Sequence, residues 1–190
     1  MRHDPDPVAA TRRWLERAVI GLNLCPFARA VHVKDQVRYV LSEATTADAL
    51  LQELAEELAW LAETDPGVVD TTLLVHPHVL QDFGDYNDFL DQADAAVDAL
   101  GLEGEIQVAS FHPDYRFAGT DPDDPGNLTN RSPYPMLHLL RARVLLAEDS
   151  RARAAVRLDV ESALVEARRQ GARRAVGMAE AALASLGLRE

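Results

Sequence analysis

The chain has 190 residues, 47% of them apolar and 26% charged. That is enough to bury a real core and too hydrophobic for a wholly disordered polymer. Thirty-one acidic residues stand against 19 basic ones, a formal charge of −12, which argues against nucleic-acid and membrane partners because such a surface repels phosphates and anionic lipid.

In chain order, Asp6-Pro7 reads as an N-cap and first helical position, and Val8, Thr11, Leu15, Val19 and Leu22 then recur at helical spacing. Pro26 ends that helix, so Cys25 is expected at its C-terminus or in the following turn. Val31-His32-Val33 and Gln36 to Leu41 are expected to be short strands. Thr45 and Asp48 open a helix with the stripe Leu50, Leu54, Leu58 and Leu61, which Pro66-Gly67 breaks. Thr71 to Val75 is a compact β-rich run ending at His76-Pro77. Phe89, Ala93, Val97 and Leu100 form the next stripe, closed by Gly101 at the C′ place. Ile106 to Phe111 is the last clear strand and ends at His112-Pro113. Residues 113–135 hold five prolines and two glycines together with Tyr115, Phe117 and Tyr134. A loop this long and aromatic is expected to be ordered and functional. From Met136 onward the pattern reads as helical, through residues 142–190.

Strand, helix, strand, helix, strand with short links gives an α/β (or α+β) single domain over residues 1–190. It is expected to hold a small, mainly parallel sheet covered by helices and to end in a helical C-terminus. His76 and His112 then share one strand edge, 36 residues apart in the chain, where open sheets bind ligands.

Several residues carry possible chemistry. Cys25, the sole cysteine, permits no intramolecular disulfide, which fits a cytoplasmic setting, as does an N-terminus without the apolar stretch of a signal peptide. As a nucleophile it needs a neighbouring histidine; as a small buried hydrophobe it needs nothing. His112, at the mouth of the long loop, is the leading acid/base candidate, with Tyr115 or Tyr134 assisting. His76 and His112 are the candidate metal ligands, with Asp85 or Asp88 as partners, although the spacing matches no standard site. Arg131, with Asn130, Ser132, Tyr134, His138 and Asn87, is expected to hold an anion, helped by free N–H groups of a helix beginning near Met136. A rigid connector whose polar groups satisfy one another is the plain alternative. A divalent metal is possible as cofactor, and there is no nucleotide-binding motif.

The segments Asn23-Leu24-Cys25-Pro26-Phe27-Ala28, Asp85 to Leu90, Ser110 to Tyr115 with Phe117-Ala118-Gly119, and Asn130 to Pro135 with Leu137 to Arg141 resemble the bacterial domain-of-unknown-function family 1415. The resemblance runs from about Trp14 to Arg141 and rests on long, unusual motifs. It implies membership and no activity. Past Arg141 the family pattern passes directly to an acidic pair and serine, whereas Ala142 to Ala147 intervene here before Glu148-Asp149-Ser150.

Together these features suggest an enzyme acting on a small anionic molecule. A small-ligand or metal-binding module using the histidines is the alternative, and an interaction scaffold the third. A homo-oligomer is possible.

Overall fold

The computed structural model describes residues 6–25 and 27–141. The expected C-terminal helices over 142–190 lie outside the described residues, as does Pro26. One compact unit takes in the chain up to Tyr115 together with Leu128–Arg141, and Arg116–Asn127 belongs to a second.

Asp6 caps α1 (Pro7–Trp14), its carboxylate accepting from the Ala9 N–H. The helix loosens into a π-helical turn, Leu15–Ile20, and ends at Gly21, earlier than Pro26 alone predicts. A second short helix, α2 (Ala28–Val33), replaces the strand expected at Val31-His32-Val33. The β-branched alternation there is only three residues long, and Val31 instead turns inward from the helix against the sheet.

β1 (Val37–Leu41), α3 (Ala47–Glu63), β2 (Thr71–Val75), α4 (Phe83–Ala99) and β3 (Ile106–Phe111) follow in the expected order. Thr46, one residue later than expected, caps α3, and Leu50, Leu54, Leu58 and Leu61 are all fully buried. Asp82 caps α4 by accepting from Gly84 and Asp85 N–H groups. Gly101, at φ +69°, closes α4 in a Schellman turn, with the Leu102 N–H on the Val97 carbonyl and the Gly101 N–H on Asp98.

The segment expected to start a helix at Met136 is a strand, β4 (Met136–Arg141). It runs antiparallel between β2 and β3, in the order β1-β2-β4-β3. The sheet is therefore mixed and the fold α+β. A short apolar run reads alike as buried strand or buried helix, and here the open slot between two parallel strands decides. With the helix goes the expected helix N-terminus for an anion. The Arg141 guanidinium instead donates to the Leu61 and Thr64 carbonyls at the end of α3, where a cation complements the helix C-terminus.

Paired residues share a face, so the register sorts the sheet. Val40, Leu74, Leu137, Leu139, Val108 and Ile106 face α3 and α4 and form the main core with them. Tyr39, Leu73, Val75, Met136, His138, Ala109 and Phe111 face the other way, toward the N-terminal helices.

Within Arg116–Asn127 the buried Asn127 side chain organises the chain, accepting from the Phe117 N–H and the Thr120 hydroxyl and donating to the Asp121 carbonyl.

Candidate functional site

Two places gather the chemistry-bearing residues: the C-terminal edge of β2 and β3, and the sheet face under the N-terminal helices.

At the edge, β2 and β3 do run in the same direction, and His76 and His112 flank Tyr86. Ring centroids lie 5.8 Å from His76 to Tyr86 and 5.1 Å from Tyr86 to His112. The Tyr86 hydroxyl accepts from the Phe111 N–H at 3.0 Å and donates to the Met136 carbonyl at 2.8 Å. It thereby bridges β3 and β4 where they part. His112 is buried. Its Nδ1 accepts from the Asp114 N–H at 3.0 Å, so Nε2 carries the proton and donates to the Leu80 carbonyl at 3.3 Å. Leu80 turns that carbonyl inward from the left-handed region, at φ +54°. Burial pushes the His112 pKa down, opposed by this backbone bond. His76 is fully buried and donates from Nδ1 to the Val79 carbonyl at 3.1 Å, leaving Nε2 without a partner. Burial holds its pKa at about 4, so the ring is neutral.

The expected anion-binding group is present but turned to the backbone. Arg131 donates from Nε to the Tyr115 carbonyl at 3.1 Å. Asn130 donates to the Ser110 carbonyl at 3.0 Å, and its own carbonyl receives the His112 N–H. The Ser132 hydroxyl donates to the Tyr134 carbonyl at 2.6 Å. Tyr115 and Tyr134 are buried, Tyr115 edge-on to Phe83 and receiving the Ser110 hydroxyl at 3.4 Å. These contacts stitch the loop onto the end of β3. Asn87 stands apart, exposed on α4, as do Asp85 and Asp88. Among the described residues no group of three or more His, Cys, Asp or Glu side chains stands where a metal ion could be held.

The other face is different. Between α1, the π-helical turn and α2 on one side and the sheet on the other lies a cavity of about 170 Å³. Trp14, Leu15, Val19, Phe27 and Val31 line it from the helices, and Leu73, Ala109, Phe111 and Leu140 from the sheet. Trp14 is held by its indole N–H, which donates to the Arg131 carbonyl at 2.9 Å, and by an edge contact with Phe111 at 5.2 Å. Four lining side chains carry a nitrogen, oxygen or sulfur atom: Trp14, Cys25, Thr71 and His138. The structure thus brings Cys25 and His138, 113 residues apart in the chain, to one cavity, and leaves His112, Arg131 and Asn130 outside its walls.

His138 is half-buried in β4, and Thr71 pairs with Leu140 beside it. The Thr71 hydroxyl donates to the Leu139 carbonyl at 2.7 Å and contacts His138 Nε2 at 2.6 Å. Having given its proton to Leu139, that hydroxyl can only accept from His138, so Nε2 is protonated and Nδ1 is bare. Burial holds the His138 pKa at about 4. The sequence pattern marked Cys25 and His138 but not their meeting. Thr71 carried no signal beyond β-propensity, since its role depends on a neighbour 67 residues away.

No curated protein and no solved structure matches the chain. No described helix is long and apolar enough to cross a membrane. The family model described as protein of unknown function (DUF1415) matches residues 6–168, most of the chain. The segments that cradle the cavity and stitch the strand edge lie inside that match, and the chain belongs to the DUF1415 family.

Proposed function

We propose that the protein binds a small, largely apolar molecule in the cavity beneath the N-terminal helices. The observation that carries this reading is the cavity itself: about 170 Å³ walled by aliphatic and aromatic side chains, with a histidine in the wall. An apolar cavity of about 150 Å³ stays dry and takes a single aromatic ring. The pocket is partly open, and a ligand seated in it gains packing contacts with these apolar walls while leaving water. The expected anionic substrate finds less support, because Arg131, Asn130 and Ser132 all bond to backbone carbonyls.

Toluene titrated into ¹⁵N-labelled full-length protein tests the reading. Saturable shifts are expected at Trp14, Leu73, Ala109 and Phe111. Ala109→Phe, which fills the cavity from β3, should abolish them. Absence of shifts in the wild type, or the same shifts in the filled variant, overturns the proposal.

A second reading follows from Cys25 in the same wall. If the bound molecule is transformed, Cys25 and His138 are the reactive groups that touch it, rather than His112. Loss of turnover in Cys25→Ser with binding retained would support catalysis there.

A further inference from the structure

Resting on that binding reading, we infer that the ligand is a small amphiphile. Its apolar tail of about six carbons fills the cavity, and an anionic head, such as a carboxylate, stays outside the opening beside Arg29.

The walls decide the tail. No Asp, Glu, Lys or Arg side chain lines the cavity, and His138 is neutral there. The Trp14 N–H is engaged by the Arg131 carbonyl and the Thr71 hydroxyl by the Leu139 carbonyl. An ion placed inside would lose its water and meet no counter-ion, a cost that apolar contacts do not offset. Only the apolar part of a ligand gains by entering. A volume of about 170 Å³ is close to the ~150 Å³ of a cavity that takes benzene, so about six carbon atoms fit. Whatever polar group the ligand carries is therefore left at the opening. That opening is marked by Phe27, 41% exposed and the one lining side chain that is neither buried nor half-buried.

The charges nearby decide the head. Arg29 stands two residues beyond Phe27 in α2, so their Cα atoms lie within about 7 Å. That is inside the screening length of about 10 Å at 0.1 M salt. Arg29 is exposed and, like Arg17 in the π-helical turn and Lys34 at the end of α2, makes no ion pair among the described residues. Cations elsewhere are engaged: Arg38 is bound to Glu57, and Arg131 and Arg141 donate to backbone carbonyls. The sequence is partitioned in the same way. From Arg12 to Arg38 six cations stand against Glu16 and Asp35, whereas from Tyr39 to Tyr115 there are 17 carboxylates and no lysine or arginine. The formal charge of −12 therefore does not describe the opening. An anion is drawn to the N-terminal helices and repelled by the acidic stretch that follows, and a cation meets the reverse.

The test compares hexanoate, hexanol and hexylammonium on the intact protein at neutral pH, with affinities from NMR titration or calorimetry. The three share one tail and differ only in the charge of the head. Hexanoate is expected to bind about fivefold more tightly than hexylammonium in low salt, the scale of exposed charge contacts, with hexanol between them. The gap should shrink toward unity at about 0.5 M salt while the hexanol affinity holds. Arg29→Glu should close or reverse the gap, and Arg29→Lys should keep it, with toluene binding unchanged in both. Ala109→Phe should abolish binding of all three. Equal affinities for hexanoate and hexylammonium in low salt, a preference that survives Arg29→Glu, or hexanoate binding that survives Ala109→Phe overturns this inference. Toluene binding in the same samples then leaves the cavity reading standing. Failure of toluene and all three hexyl probes overturns both.

Discussion

The two faces of the sheet are built from the same strands and packed to different standards. On one, α3 and α4 each run for 17 residues, long enough at about 1.5 Å per residue to cross the whole sheet. Each lays down an unbroken stripe of buried side chains, and the result is a core of 15 buried residues. On the other, helix is delivered in pieces: eight residues of α1, six of π-helical turn and six of α2, the last with no buried residue. Pieces this short cannot keep a continuous ridge in the sheet's groove, and the smaller cluster of Leu73, Val75, Tyr134 and Met136 leaves the cavity beside it. The lesson is that the cavity opens where the covering layer is broken, whereas at the strand edge, where histidines and prolines are densest, the side chains of Arg131, Asn130 and Ser132 bond to backbone carbonyls.

The largest expected effect separates the faces directly. Leu58→Ala, in the fully buried stripe of α3, should cost about 4 kcal/mol in urea unfolding. Leu73→Ala, which removes a side chain already bordering empty space, should cost about 2 kcal/mol. Equal losses would mean that the cavity is closed in solution.

Acid should act on both faces through their neutral histidines. His76 and His138 have folded pKa values of about 4, below the ordinary 6.5. As the pH falls, the unfolded chain takes up protons first. Their contribution to stability is therefore level above about pH 6.5, declines down to about pH 4 and is level again below. His76 accounts for up to about 3 kcal/mol of that decline. Equilibrium unfolding across pH 4–7 checks this, and His76→Leu and His138→Phe should each flatten the slope. An unchanged slope in both variants would refute the buried, neutral assignments.

The smallest effect concerns the end of one covering helix. Asp82→Ala removes the carboxylate that caps α4 and should cost about 1 kcal/mol, read as a lower thermal midpoint with the toluene affinity of the opposite face unchanged.

Much of the fold was legible from residue spacing. Leu50, Leu54, Leu58 and Leu61, Phe89, Ala93 and Val97, and Gly101 after them marked α3 and α4, because amphipathic periodicity and a left-handed C′ glycine are local signals. The match of His76 and His112 at one edge followed from their spacing of 36 residues, the length of one strand-helix unit. Met136 to Arg141 misled because Leu137 and Leu140 sit at helical spacing while the run is only six residues long. Whether such a run becomes strand or helix depends on the slot waiting for it, and that slot is made by β2 and β3, 61 or more and 25 or more residues upstream. That Arg131 and Asn130 donate to the Tyr115 and Ser110 carbonyls was not legible, because side-chain identity does not reveal which backbone carbonyls will lie nearby.

Local chemistry alone thus settles the helices that cover the main core, their caps and the strands between them, since each depends on neighbours within a turn or two. The place of β4, the tautomer of His138 and the sharing of one cavity by Cys25 and His138 depend on residues from 25 to 113 positions apart. Only burial in a common cavity gives those contacts their energy, and that required the assembled sheet.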